Sequence, residues 1–154
     1  MAGKLQAEIR QTKPFDSIEE ETYLNLVRTA DAITRELDRM LQPHALTGTQ
    51  YNVLRILRGA GKEGATCSAI SERLLAFDPD VTRLLDRLEK ARLVKRARSE
   101  SDRRVVMTTI TSAGLELLGK LDEPLHDLLR QQFARVGRQR LTQLIEDLEE
   151  IRSR

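Results

Sequence analysis

Two histidines, one cysteine and a scatter of serines carry chemistry for catalysis or metal binding, and none stands in a working arrangement. His44 follows Pro43 in a stretch that reads as a loop, and His126 lies on a helical pattern. Neither has a Cys, His or acid at a metal-ligand spacing. Ser68 and Ser71 lack the glycine-flanked elbow and nearby base of a nucleophilic serine. Cys67 is the single thiol, so an intrachain disulfide is excluded and a reducing cytoplasm is the compartment that suits it. A small, half-buried structural residue is the plain reading of Cys67. A redox role is the alternative, since a helix N-terminus lowers a thiol pKa. No enzyme, cofactor site or metal site is implied by these residues.

The chemistry that the sequence does concentrate is cationic. Between Val81 and Arg104 lie nine bases (Arg83, Arg87, Lys90, Arg92, Lys95, Arg96, Arg98, Arg103 and Arg104) against four acids (Asp86, Glu89, Glu100 and Asp102), a balance of +5. The whole chain carries only +2, so everything else sums to −3. Arg83 and Arg87 are also a like-charge pair at i,i+4, a mild strain in a lone helix that an external polyanion would relieve. A solvated helix face neutralised by Asp86 would account for the same charges, and charge alone leaves the two readings open. Aromatics at 3% argue against a stacking platform for single strands.

Periodicity identifies the elements that must position these charges. Val81, Leu84, Leu85 and Leu88 form one apolar stripe, with Thr82, Arg83, Asp86, Arg87 and Lys90 on the opposite face. Asp78 and Pro79 give a start signal, and about thirteen residues make a rod of roughly 20 Å, a fit to a DNA major groove. Thr66 is placed to cap a preceding helix with Ile70, Arg73 and Leu74, and a short turn, Leu75 to Phe77, joins the two as a helix-turn-helix. Val94 to Arg98 reads as a strand, Val105 to Thr111 as its partner, and Ser99 to Asp102 as the polar loop of a wing.

Around this centre the pattern is helical. Residues 1–16 read as a flexible polar arm. Ser17 to Glu20 is a capping box that opens a long helix, with Tyr23, Leu26, Val27, Ala30, Ile33, Leu37, Met40 and Leu41 on its buried side and Pro43 as its stop. Thr47 to Gln50 opens a short helix with Tyr51, Val53, Leu54, Ile56 and Leu57, and Gly59, Gly61 and Gly64 punctuate the loop beyond it. Thr111 caps a long helix to about Val136, kinked at Pro124. Gly137 precedes a last helix with Leu141, Leu144, Ile145, Leu148 and Ile151 in a seam. The terminal stripes exceed what so small a centre covers, which points to a helical core shared with a second copy.

The expected class is mainly α with a small β-wing. A winged helix-turn-helix at 43–111 is joined to a helical dimerisation region at 17–42 and 112–154. No apolar run is long enough for a signal peptide or membrane span.

The order of elements resembles the MarR family of bacterial winged-helix regulators. Ser71-Glu-Arg-Leu74, Asp80-Val-Thr-Arg-Leu-Leu-Asp-Arg-Leu-Glu89, Leu93-Val-Lys-Arg96, Asp102-Arg-Arg104 and Thr109-Ile-Thr-Ser-Ala-Gly114 carry the resemblance, which covers nearly everything after residue 17. It implies a homodimer on a pseudo-palindromic double-stranded operator, most often a repressor released by a small, often aromatic, effector. The Thr82 to Lys90 face would enter the major groove, with Arg96, Arg98, Asp102, Arg103 and Arg104 completing the DNA-facing set. Arg104 looks like the minor-groove arginine and Asp102 like the acid that orients it. Two departures stand out. Arg92 occupies a place where the family has glycine, so it either adopts a left-handed conformation or the helix ends differently. The peroxide-sensing members carry a cysteine near the N-terminus, where this chain has none. The alternative function is a dimeric helical protein-interaction module without operator binding.

Overall fold

The computed structural model describes residues 3–153, and the chain divides into two units, Met1–Gly48 and Thr49–Arg154. In the first unit a short helix α1 (Leu5–Glu8) precedes the long α2 (Ile18–Leu41). The N-terminal stretch is therefore not a plain arm. Leu5 is buried and Glu8 meets Arg28 at 3.5 Å, although four residues are too few to show a period in sequence. Ser17 Oγ accepts from Glu20 N at 3.1 Å, and the Glu20 carboxylate takes the Asp16 N–H at 2.7 Å. The box thus closes on the residue before the cap. Pro43 follows α2 within a turn of 3₁₀ helix, Gln42–His44, where its missing N–H costs nothing. Only Leu41 of α2 is fully buried. Tyr23, Val27 and Ala30, expected inside, are exposed, and Leu26, Ile33, Leu37 and Met40 are half-buried.

The second unit is built from α3 (Gly48–Ala60), α4 (Cys67–Arg73), α5 (Val81–Lys90), the antiparallel pair β1 (Val94–Arg98) and β2 (Val106–Ile110), α6 (Ser112–Phe133) and α7 (Arg138–Arg152). Gly59 lies inside α3, and Gly61 begins a 3₁₀ turn, so the glycine loop is shorter than the sequence suggests. Gly64, at φ +72°, ends that turn, and a Cβ there would lie 2.2 Å from the Thr108 carbonyl oxygen. Only glycine lets the chain come so close to β2.

The core is aliphatic: Val53, Leu54 and Leu57 from α3, Ile70 from α4, Leu85 and Leu88 from α5, Val94 from β1, and Leu118 and Leu121 from α6. Pro124 lies within α6. No described residue of α7 is buried, and Leu144, Ile145 and Ile151 are exposed. Among the described residues no helix is long and apolar enough to cross a membrane.

Candidate nucleic-acid interface

The helix-turn-helix is built from two capped helices. Thr66 Oγ1 accepts from Ala69 N at 3.1 Å and starts α4. Asp80, not Asp78, caps α5, accepting from Arg83 N at 3.1 Å. Asp78 instead accepts from Asp80 N at 2.8 Å, an Asx turn that shapes the approach. Both acids have the right chemistry, and Pro79 between them belongs to the turn. The linker consequently runs from 74 to 80, and α5 has ten residues, about 15 Å at 1.5 Å each. Leu75 N donates to Asn52 Oδ1 at 2.9 Å, which moors the linker on α3. Leu75 and Phe77 are almost fully exposed there, apolar side chains that no sequence pattern singles out.

On α5 the division of faces is as the periodicity requires. Val81, Leu84, Leu85 and Leu88 are buried, while Thr82, Arg83, Asp86, Arg87 and Lys90 are exposed. Cys67 is half-buried, its Sγ 3.8 Å from Thr82 Oγ1, so the thiol packs beneath this surface rather than standing apart from it.

The end of α5 resolves the question of Arg92. Its φ is +60°, left-handed, and two bonds close the helix around it. Arg92 N donates to Glu89 O at 2.9 Å, and Leu93 N donates to Leu88 O at 3.0 Å. This is a Schellman ending with arginine in the place that favours glycine.

The wing departs more from expectation. β1 and β2 pair from Val94↔Ile110 to Arg98↔Val106. Arg103 and Arg104 lie in a turn ahead of β2, in which Val105 N donates to Asp102 O at 3.0 Å. Asp102 accepts from the backbone N–H of Arg104 at 2.9 Å, so it holds the main chain rather than the guanidinium. Arg98 donates to Arg103 O at 2.7 Å and closes the loop from the other side. Arg98, Asp102, Arg103 and Arg104 are all exposed.

Arg96 is the largest difference. Expected to face outward, it is half-buried between two carboxylates. Its Nε and Nη2 donate to Glu89 Oε2 at 2.9 and 2.7 Å, and Nη2 also meets Asp86 Oδ1. The Arg96 side-chain hydrogen bond holds the Glu89 carboxyl below its usual range, and the same bond raises the guanidinium further. Asp86 is thus engaged within the protein. Glu89, which seven residues and a turn separate from Arg96, carries no spacing signal in the sequence. By contrast the side chains of Arg83, Arg87, Lys90, Arg103 and Arg104 have no hydrogen bond or ion pair among the described residues.

An α5 surface of unpaired cations, continued by two arginines at the tip of a β-ribbon, defines a winged helix-turn-helix of the DNA-binding kind. Similarity to known proteins narrows that class. The MarR family model matches residues 44–105. The MarR transcription factor of Planctomyces limnophilus is 38% identical, with 88% of this chain and 98% of that one covered and a TM-score of 0.68. The chain belongs to the MarR family of transcriptional regulators. It is 35% identical over 106 residues to the regulator TtmR of Methylorubrum extorquens, a match covering 69% of this chain and about half, 53%, of that protein's length. It is 26% identical to the homoprotocatechuate degradative operon repressor of Escherichia coli, with 79% of this chain and 83% of that one covered. These relatives are regulators rather than enzymes.

Proposed function

We propose that the chain acts in the cytoplasm as a homodimeric, sequence-specific regulator of transcription, a repressor that leaves its pseudo-palindromic operator when a small, often aromatic, molecule binds. The observation that carries DNA reading is the row of unpaired cations on α5 together with the exposed Arg103–Arg104 turn. In this reading Thr82, Arg83, Arg87 and Lys90 face the major groove. Arg103 and Arg104 follow the wing to an adjacent minor groove, Arg98 holds the wing loop, and Asp86 and Arg96 act from behind. Dimerisation is favoured by the apolar residues that the protomer leaves uncovered. Leu144, Ile145 and Ile151 on α7 are 40, 56 and 52% exposed, and Tyr23 and Val27 on α2 are 64 and 50%. Segments 17–42 and 112–154 are the parts assigned to that contact. Repression is favoured by relatives named as repressors, among them that of the homoprotocatechuate operon.

Selection of bound duplexes from a random pool tests the reading. A recovered inverted repeat with half-sites about one DNA turn apart, roughly 34 Å, is the expected result. A pool without enrichment would leave the dimeric interaction module as the better description, and a monomer by light scattering at micromolar concentration would remove the two-half-site geometry.

A further inference from the structure

We propose that Arg96 is a positioning residue. With Glu89 and Asp86 it fixes the offset between the base-reading helix α5 and the wing, and it touches no DNA itself. The proposal rests on the DNA-binding reading above and adds to it the part that sets register.

The geometry is that of a clamp closed at three points. Arg96 presents Nε and Nη2 to one oxygen of Glu89, at 2.9 and 2.7 Å, and reaches Asp86 one helical turn earlier on the same face of α5. The second Glu89 oxygen accepts from the Arg96 backbone N–H at 3.2 Å. The strand is therefore gripped by its main chain and its side chain together, and it can neither slide along α5 nor turn about its own axis without breaking a charge-assisted bond. The grip acts beside a covalent link that is short and special: Arg92 with its φ of +60°, then Leu93. The far border of the ribbon is held separately, where Thr108 exchanges two backbone bonds with Ala65, and the Arg96–Glu89 bonds hold the border that faces α5. Only a planar fork makes this set of contacts, and a lysine would supply a point charge without it. Arg96 also differs from its neighbours in kind. The cations of α5 and the wing tip are unpaired and outward, whereas this one is neutralised by two acids and half-buried. An arginine so engaged has its Nε and Nη2 committed to carboxylates, which turns the fork toward α5 and leaves Nη1 as the remaining donor group.

The test compares the full-length protein with Arg96→Lys and Glu89→Gln, which preserve most of the volume, after circular dichroism and thermal unfolding have shown that each folds. Each is titrated against the selected duplex, a scrambled duplex, and a selected duplex with one base pair inserted between the segments under α5 and the wing. The wild-type protein should lose roughly tenfold or more on the inserted duplex, the effect of one misread position. In both variants that penalty should shrink, because a loosened wing follows the displaced groove. Specificity should fall by a similar factor while the salt dependence stays as in the wild type. Wild-type insertion penalties in both variants would overturn the proposal. So would an Arg96→Met variant whose salt slope drops by about one unit with equal losses on all duplexes, the signature of a direct phosphate contact. A wild-type protein without any preferred duplex would sink the DNA-binding reading itself, a distinguishable result.

Discussion

Thr111 and Arg92 hold each other across the junction of three elements: the Thr111 hydroxyl donates to the Arg92 carbonyl oxygen at 2.8 Å. The hydroxyl oxygen in turn accepts from Gly114 N at 3.1 Å and so caps α6, while Thr111 N donates to Leu93 O at 3.0 Å. One residue thereby starts α6 and closes the end of α5, using a hydroxyl as donor and acceptor at once. The approach is close. A Cβ on Gly114 would lie 2.4 Å from Leu93 O.

Thr111→Val keeps the shape and removes both hydroxyl bonds. We expect it to cost about 1–2 kcal/mol in urea unfolding, from the lost cap and the lost bond to Arg92 O together. Thr111→Ser should recover most of that. Gly114→Ala should also destabilise, by roughly 1–3 kcal/mol, because the new methyl group meets backbone rather than a side chain that could swing away. Equal stability of the valine and wild-type proteins would show that the junction is held by packing alone.

Arg92→Gly should stabilise the fold by about 0.5–1 kcal/mol, since the left-handed φ is a strain for arginine and none for glycine. The Thr111 bond is to the backbone and survives the change. Denaturant titration at neutral pH checks the sign, and a glycine variant no more stable than the wild type contradicts the assignment of strain.

At the wing, the side chain of Asp102 works through the backbone, so Asp102→Asn should retain the turn and bind DNA nearly as the wild type does. Asp102→Ala should weaken binding through a loosened Arg103–Arg104 turn. Arg104→Ala is expected to cost about 1–3 kcal/mol on the preferred duplex, with reduced A·T preference under the wing. Arg103→Ala should lower affinity evenly and reduce the salt slope by about one unit. Indistinguishable profiles for the two arginine variants would remove the distinction between them.

Acid should weaken the α3–α6 contact. Arg58 lies 2.9 Å from Asp122, and their hydrogen bond holds the Asp122 carboxyl below its ordinary value of 3.8. A depressed carboxylate pKa contributes stability that is fully present above the unfolded value and is lost as pH falls through the folded one, so the loss begins near pH 4 and is completed below the lowered pKa. Both side chains are more than a third exposed, and screening limits the pair to about 0.5–1 kcal/mol. Asp122→Asn should be less stable by that amount at neutral pH and show a flatter decline on acidification. Parallel curves would mean that the pair does not titrate with folding.

Local chemistry is what the sequence makes legible. Ser17, Thr66 and Thr111 are readable as caps because a hydroxyl ahead of an apolar period has few other uses. The first strand is readable from its neighbours, and Arg92 from its departure from glycine. The hidden features depend on contacts across turns. Asp78 and Asp80 are equivalent as caps until the chain direction between them is known. Glu89 and Arg96 meet only because the Schellman ending folds β1 back along α5. Asp102 bonds backbone rather than guanidinium because Arg104 belongs to a turn and not to a strand. The apolar faces of α2 and α7 read as buried in sequence because a period shows which side is apolar, not which molecule covers it.

A lone two-stranded ribbon ordinarily invites strangers, since each outer border offers unpaired N–H and C=O groups to any extended peptide. Here both borders are occupied at their midpoints. Thr108 exchanges two backbone bonds of 2.9 Å with Ala65, and on the other side the Arg96 N–H is taken by Glu89. The close pass of Gly64 over β2 is what brings Ala65 within reach. The consequence is colloidal: an incoming strand meets a border already taken at its centre on either side, so the wing can protrude into solvent with less tendency to template sheet growth between copies.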